Sequence, residues 1–453
     1  LNSGDNLSDH LGDKSSQKTP AKTLPETAKT FLVGGAVRDQ LLKRPIIERD
    51  WLVVGGSTKS MLNAGYQQVG KDFPVFLHPK TKEEYALARQ ERKSGVGHTE
   101  FTTHTDRVTL EEDLLRRDFT INAIAQSETG DLISPYGGLE DIQSRTIRHV
   151  SEAFSEDPLR VLRAARFMAQ LSPFKFKIAP QTLQIMQSMS VDGELNALTP
   201  ERVWRETEKA LCSPNPRSYF ETLHQIGALN VILPEVDNLF GIPQNPKFHP
   251  EIDTGLHTML SLDRVCELSK DPVLRFAVLI HDLGKGTTAK ELLPSHKGHE
   301  QRSADLTREL CLRLKIPNRF KKLATLVAAH HLLCHRALRL PPLELETLLN
   351  KLGAWKEESL VYSFSLCCMA DARGRTGLES RPYPQIEFLQ ECVAATKHID
   401  VATLQKQGYS GKVLGHQIKR QRAAQLKTVI EKYSNINELD YAIGIKKSDK
   451  VKN

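Results

Sequence analysis

Glu48 and Asp50, in the segment FLVGGAVRDQLLKRPIIERDWLVV at residues 31 to 54, are carboxylates one residue apart. Strand side chains alternate faces, so these two are expected to point one way and Arg49 the other. Such a pair is the outline of a divalent-metal site. Upstream, Gly34 and Gly35 follow a short apolar run and open a helix, where bare backbone can approach a phosphate closely. Arg38, on the first turn of that helix, is expected to face the same anion. Phosphate, hard metal and arginine together point to nucleotidyl transfer. Metal ions held by shared carboxylates activate the attacking hydroxyl in that reaction and neutralise the leaving pyrophosphate. Glu84, in the strand-like EEYALAR, is a candidate third carboxylate. Magnesium suits the site because it accepts one or two carboxylates plus substrate phosphates. Arg117, followed by Asp118 in RRDFTINAIA, is placed to fork onto a phosphate or ribose.

A second group lies in EDPLRVLRAARF, residues 156 to 167. Charged residues three apart share one helical face while Leu159, Leu162 and Phe167 turn towards a core. Asp157 can accept from an exocyclic amine and Arg160 can donate to a ring nitrogen. Adenine and cytosine offer that amine beside an unprotonated nitrogen, whereas guanine and uracil offer a carbonyl beside a protonated one. This pair could therefore accept ATP and CTP and reject GTP and UTP.

The third group is His257 in TGLHTML, His281 and Asp282 in LIHDLGKG, and Asp371 in CCMADARGR. Imidazoles and carboxylates brought together by helices suit a transition metal whose bound water attacks a phosphoester. Lys285 is a candidate phosphate contact, with His299, His330 or His331 as assisting histidines.

These residues must be positioned by more than one core, since 453 residues exceed a single ordinary domain. Strand-like runs dominate early: FLVGG, DWLVVG, FPVFLH and EEYALARQ. Thr109 opens T-L-E-E, a capping box before a helix ending near Arg117. From about residue 150 helical spacing takes over. The expected organisation is a disordered extension over 1–28, an α+β head over 29–148, an all-α neck over 149–228, an all-α domain over 229–372 and a helical tail over 373–453. ERKSGVGHTEF reads as a mobile loop and KKSDKVKN as a frayed end. Seven cysteines without a C-x-x-C pair fit reduced thiols, with Cys367 and Cys368 as helix core. The net charge of +7 is compatible with a nucleic-acid partner, and QIKRQRAAQLK, including Lys419, Arg420 and Arg422, is a candidate stretch for it. Apolar runs such as FAVLI are too short to span a bilayer, and a cytoplasmic protein without membrane association is expected.

GGAVRD, the carboxylate pair, RRDFTINA and EDPLRVLRAARF together resemble the bacterial class of tRNA nucleotidyltransferases, the CCA-adding enzymes, and their relatives the bacterial poly(A) polymerases. The likeness runs from about residue 30 to 400. It implies that Gly35 and Arg38 contact nucleotide phosphate, that Glu48 and Asp50 hold Mg2+, and that Arg117 contacts nucleotide. It further implies that Asp157 and Arg160 form a protein template for the base, with Arg163 and Arg166 as additional nucleotide contacts. The activity implied is untemplated addition of C, C and A to tRNA 3′ ends from CTP and ATP, by a monomer or homodimer.

The histidine group resembles the HD phosphohydrolase domain of those CCA-adding enzymes that show phosphatase, 2′-nucleotidase and 2′,3′-cyclic phosphodiesterase activities. Ni2+ or another divalent transition metal is implied by that resemblance. Alternative readings are a poly(A) polymerase, whose family ordinarily lacks an HD domain, and an RNA-binding protein with a degenerate transferase site. The last draws on one departure: the family usually has Asp where Glu48 stands. An extra methylene displaces a carboxylate by about 1 Å, which can cost on the order of a hundredfold in rate.

Overall fold

The computed structural model describes residues 24–25, 27–69, 75–93, 101–104 and 107–434. The expected loop residues 94–100 and the end KKSDKVKN lie outside them, as does the extension up to residue 23. The chain divides into two compact units, one up to Ile142 and one from Gln143.

The first unit is built on a mixed sheet. Its elements are β1 (Lys29–Val33), α1 (Gly35–Leu41), β2 (Asp50–Val54), α2 (Thr58–Asn63), β3 (Gln67–Val69), β4 (Val75–Leu77), β5 (Glu84–Leu87), β6 (Gln90–Lys93), β7 (Phe101–His104), α3 (Leu110–Leu115), β8 (Ala125–Ser127) and β9 (Leu132–Ile133). Seven strands pair in the order β3-β4-β5-β2-β1-β8-β9, and β6 pairs with β7 alone. Only β2 and β5 of the seven run parallel. The central strands carry apolar residues on both faces, with Leu52 and Val53 both buried.

One face packs Val53, Met61, Phe76 and Leu87 into a cluster that Leu24 and Ala28 also join. The folded chain therefore begins earlier than residue 29, because two apolar residues in the expected extension have a core to cover. The ends of α2 and α3 are fixed as their sequences dictate. Ser57 and Ser60 exchange side chain to backbone bonds, and Thr109 and Glu112 close the expected capping box.

The second unit is almost wholly helical, apart from a two-residue parallel pairing of Thr146–Ile147 with Lys177–Ile178. Helix Leu159–Gln170 packs on helices Pro200–Leu211 and Arg217–Gln225, burying Val161, Leu162, Ala164 and Ala165. Helices Thr254–Leu268, Pro272–Leu279, His299–Arg313, Asn318–His335 and Glu358–Arg373 pack together farther along. Cys367 and Cys368 are fully buried there. Trp204, Phe276 and Phe320 meet edge to face and join the two helical groups through one aromatic core. Helix Gly411–Tyr433 closes the unit against helices Pro342–Lys351 and Gln385–Thr396. Among the described residues no helix is long and apolar enough to cross a membrane.

Candidate functional site

In the head, strand register assembles the carboxylates. Asp50 begins β2 opposite Val33, the last residue of β1, and lies in register with Glu84 on β5. Neighbouring strands run about 4.8 Å apart and residues in register share a face, so Asp50 and Glu84 project side by side. Arg49 turns to the other face and pairs with Glu83 at 3.6 Å. Glu48 was expected on the same strand, but it precedes the ladder: β1 has already turned at Gly34, and no strand residue stands opposite position 48. It remains close enough to act electrostatically on Asp50. Desolvation of Asp50 raises its pKa most, Arg117 opposes this, and the like charge of Glu48 raises it further.

Gly34 is the glycine that this geometry requires. Its φ is +71°, and a Cβ there would stand 2.8 Å from Arg117 Nη1. Arg117 donates from Nη1 to the Asn122 carbonyl at 3.3 Å and from Nη2 to Asp113 Oδ2 at 3.2 Å. Burial of Asp113 opposes its charge, but Arg116 and Arg117 hold the carboxyl below its ordinary range. Arg38, expected to face a phosphate, is buried; Nη1 donates to Asn122 Oδ1 at 2.7 Å and Nε to Asp39 Oδ1 at 3.0 Å. Asn122 in turn donates to Asp118 Oδ1 at 3.1 Å. These bonds hold the guanidinium in place behind the Gly34 turn.

In the neck, Asp157 precedes helix Leu159–Gln170 by two residues and accepts, through Oδ1, from the Leu159 N–H at 3.1 Å. Arg202, from helix Pro200–Leu211, donates through Nη2 to both Asp157 oxygens at 3.0 and 2.9 Å. Each carboxylate oxygen offers two acceptor positions, so Oδ1 is filled by these bonds while Oδ2 keeps one. Arg160 Nη1 donates to the Ala153 carbonyl at 2.6 Å. Arg163 is half-buried with its guanidinium over Phe167. Arg166 was expected to contact nucleotide; it is buried, bound to Glu206 Oε2 at 2.5 Å and Gln170 Oε1 at 2.9 Å. Neither Arg202 nor Glu206 was anticipated, because the pairing crosses about forty residues.

The histidine group converges as expected. His257 Nε2 lies 3.1 Å from Asp371 Oδ1, and His281 Nε2 lies 3.1 Å from Asp282 Oδ2. Gly284 permits this: a Cβ there would stand 2.3 Å from the His299 carbonyl, so only glycine lets the HDLGK turn rest on the next helix. On its far oxygen, Asp282 Oδ1 faces His299 Nε2 at 3.3 Å and His331 Nε2 at 3.6 Å. Asp371 Oδ2 meets His335 Nε2 at 2.7 Å. His335 was missed, although its place one turn after His331 in HHLLCH puts both on one helix face. His330 belongs to neither group.

Backbone carbonyls fix the tautomers. The Nδ1 of His281, His299 and His331 contacts the carbonyls of Val278, His296 and Val327 at 2.7, 2.9 and 3.1 Å. Carbonyls only accept, so each Nδ1 carries hydrogen and each neutral Nε2 presents a lone pair. His257 Nδ1 likewise faces the Gly374 carbonyl and Glu251 Oε1, both at 3.0 Å. The Nε2 atoms of His299 and His331 thus point lone pairs at each other across 3.3 Å. His281 Nε2 and Asp282 Oδ1 are buried with no hydrogen-bond partner. This donor set fits a divalent transition metal: His257, His281 and Asp371 converge as one candidate ligand group, and Asp282, His299 and His331 as an adjoining one.

Burial disfavours charge on His281, but Asp282 and Asp371 outweigh it and raise its pKa to about 8. Burial dominates at His331 and lowers it to about 3. Both aspartates, despite burial, sit well below the usual range because of the neighbouring cations. Lys285, expected to contact phosphate, is 2.6 Å from Asp282 Oδ2 and donates to Gln244 Oε1 at 2.9 Å.

Of the basic stretch near the C-terminus, Lys419 donates to Thr347 Oγ1 at 2.8 Å and Arg422 lies 3.4 Å over the Trp355 ring. Two of the three named cations are therefore engaged, Lys419 by helix Pro342–Lys351 and Arg422 by the turn that follows it, while Arg420 is exposed.

Family comparisons match these regions in order. The poly A polymerase head domain matches residues 30–148, the probable RNA and SrmB-binding site of polymerase A matches 175–240, and the HD domain matches 256–361. The multifunctional CCA protein of Thioalkalivibrio sulfidiphilus is 52% identical over 400 residues, covering 88% of this chain and 98% of the relative. That of Vibrio vulnificus is 50% identical over 403 residues, covering 89% and 99%. Among solved structures, a CCA-adding enzyme in an apo form aligns with a TM-score of 0.61 at 18% identity, covering 90% of this chain and 91% of its own. The Thermotoga maritima CCA-adding enzyme complexed with tRNA aligns at 0.57 and 19% identity, covering 89% and 90%. The likeness to the solved structures is one of fold; the half-identical relatives, spanned almost end to end, show that this chain belongs to the family of multifunctional CCA proteins.

Proposed function

We propose that this protein adds and repairs the 3′-terminal CCA of tRNA from CTP and ATP without a nucleic-acid template, and that its HD domain hydrolyses phosphoesters. The observation that carries the first activity is the register of Asp50 with Glu84 beside the Gly34 turn, with Glu48 at hand. These three carboxylates would hold Mg2+. When bound, divalent cations there activate the attacking 3′-hydroxyl and offset charge on the departing pyrophosphate. Arg117, braced by Asp113, supplies a fixed guanidinium for the nucleotide. Gly35 opens α1 with Arg38 behind it, and this turn receives the phosphates. Asp157 accepts from the amine of adenine or cytosine through its remaining Oδ2 position, while Arg160 donates to the ring nitrogen. Arg163 adds a further nucleotide contact, and Arg166 supports it by fixing the helix against Glu206.

In the HD domain, His257, His281, Asp282 and Asp371 would hold a divalent transition metal such as Ni2+, with His299 and His331 on the second oxygen of Asp282. When bound, the metal supplies Lewis acidity towards the phosphoester. Glu251 and the anchoring carbonyls keep each imidazole in the metal-binding tautomer. The expected products are those of phosphatase, 2′-nucleotidase and 2′,3′-cyclic phosphodiesterase action.

The test is to incubate the protein with tRNA lacking CCA, supply each labelled nucleotide separately and together, and sequence the products. CTP then ATP, ending after CCA, is the expected result. Long adenylate tracts on varied RNAs would establish a poly(A) polymerase instead. Tight tRNA binding without incorporation would mark a degenerate site.

A further inference from the structure

Beside the histidine group the helical unit carries an open-mouthed cavity of about 770 Å³, within the range of small-molecule sites. His299 and His335 line it, so it opens on the HD centre. Its lining is strongly cationic: Lys285, Lys297, Arg336, Arg375 and Arg381 stand against one acid, Glu300. Such a wall attracts an anion, and the two lining residues with the most telling surroundings are Arg375 and Phe248.

Arg375 follows the helix that ends at Arg373, one turn after Asp371. Its Nη2 is 3.7 Å from Asp371 Oδ1, within ion-pair range but too long for a hydrogen bond. Its Nε is buried and has no hydrogen-bond partner among the described residues. A guanidinium with unmet donors beside a metal-binding carboxylate stands where a phosphate at that centre must sit. Phe248 lines the same cavity yet is 56% exposed. Lys247 Nζ lies over the ring 5.8 Å from its centroid, and a largely exposed aromatic beside a cation at the rim of such a cavity is suited to stack a base, as single-stranded nucleic-acid sites do. It precedes His249, which contacts Glu251, the carboxylate that also meets His257, so the rim and the metal centre share one loop.

We propose that Arg375 and Phe248 clamp a terminal nucleotide over the HD centre, Arg375 gripping its phosphate and Phe248 stacking its base, so that the site selects nucleotide ends over bare phosphate esters. This rests on the phosphohydrolase reading above. The competing role for Arg375 is simple neutralisation of Asp371, which would govern metal affinity rather than phosphate affinity.

The experiment uses the full-length protein with uridine 2′-monophosphate, whose base the proposed Asp157 and Arg160 template rejects. Affinity for uridine 2′-monophosphate, uridine and inorganic phosphate is measured by calorimetry on the metal-stripped protein, and metal affinity by titration. Hydrolysis of uridine 2′-monophosphate is followed on the metal-loaded protein. Arg375→Gln is expected to weaken uridine 2′-monophosphate at least tenfold with uridine unchanged, and Arg375→Lys to recover part of the loss. Phe248→Ala, a surface change, is expected to weaken both uridine ligands at least threefold and leave inorganic phosphate unchanged. Parental affinity for uridine 2′-monophosphate in both variants would overturn the inference alone, as would an Arg375→Gln defect confined to metal affinity. A parent that neither binds nor hydrolyses it would overturn the phosphohydrolase reading and this inference with it.

Discussion

Arg202 was invisible to the motif reading, yet it is the side chain that holds Asp157. Its Nη2 bridges both carboxylate oxygens at 3.0 and 2.9 Å, and both side chains are partly exposed, at 36% and 26%. In that setting the pair contributes only about 1 kcal/mol to stability. Its effect on base selection is larger, because Asp157 otherwise keeps only the Leu159 N–H to fix its direction. A carboxylate that drifts by about 1 Å loses on the order of a hundredfold in rate, or about 2.7 kcal/mol of transition-state stabilisation. Arg202→Ala is therefore expected to lower kcat/KM for CTP and ATP by roughly ten- to a hundredfold, with the melting temperature within a few degrees of the parent. Preference over UTP and GTP should shrink as well. Single-turnover incorporation on tRNA lacking CCA, with all four nucleotides in turn, reads both effects. Incorporation within threefold of the parent, at parental selectivity, would refute the reasoning. Tighter nucleotide binding by the variant would show instead that Arg202 competes with the base for Asp157.

Glu48→Asp should retain activity within about tenfold of the parent, because the residue lies outside the strand ladder and can adjust, while Glu48→Gln should lose roughly a hundredfold or more; both are read by CTP incorporation. His299→Ala should lower divalent-metal stoichiometry or affinity, seen by metal titration, while leaving CCA addition at the parental rate. Asp113→Asn should cost about 3 kcal/mol, the order expected when one member of a buried ion pair is removed, and weaken the brace on Arg117. Because the folded pKa of Asp113 is depressed, its stabilisation is present above its ordinary value of 3.8 and lost as pH falls towards the folded value. Denaturant melts between pH 3 and 6 should accordingly show less acid sensitivity in the variant.

Local pattern was enough for the elements that have local causes. Leu52 and Val53 announce a central strand by being apolar on both faces, and Thr109 with Glu112 announces a helix start that the structure reproduces. His257, His281, Asp282 and Asp371 were legible because few residue types serve a metal. Illegible were the partners that hold such groups in place. Arg166 reads like Arg163, both cations on one helix, and only Glu206 on another helix makes Arg166 a buried brace. Nothing near Arg38 in the sequence signals that Asn122, far along the chain, accepts from its guanidinium. Alternation placed Glu48 on a strand, but a strand exists only where a neighbour pairs with it, and β1 ends at Val33.

That distinction between held and unheld groups bears on why a glutamate can stand at position 48, where the motif resemblance implies aspartate. Asp50 is paired by strands on both sides, so its backbone is fixed in register with Glu84. Asp157, Asp282 and Asp371 have partners from other helices, Arg202, His299 and His335. Glu48 lies two residues before the ladder, exposed, with its backbone outside the sheet. The extra methylene there can be absorbed by a change in the path of residues 43 to 49, which no ladder bond opposes. Geometry in this site is thus imposed from Asp50 and Glu84 outward, and substitution is tolerable in proportion to distance from the ladder rather than to distance from the chemistry.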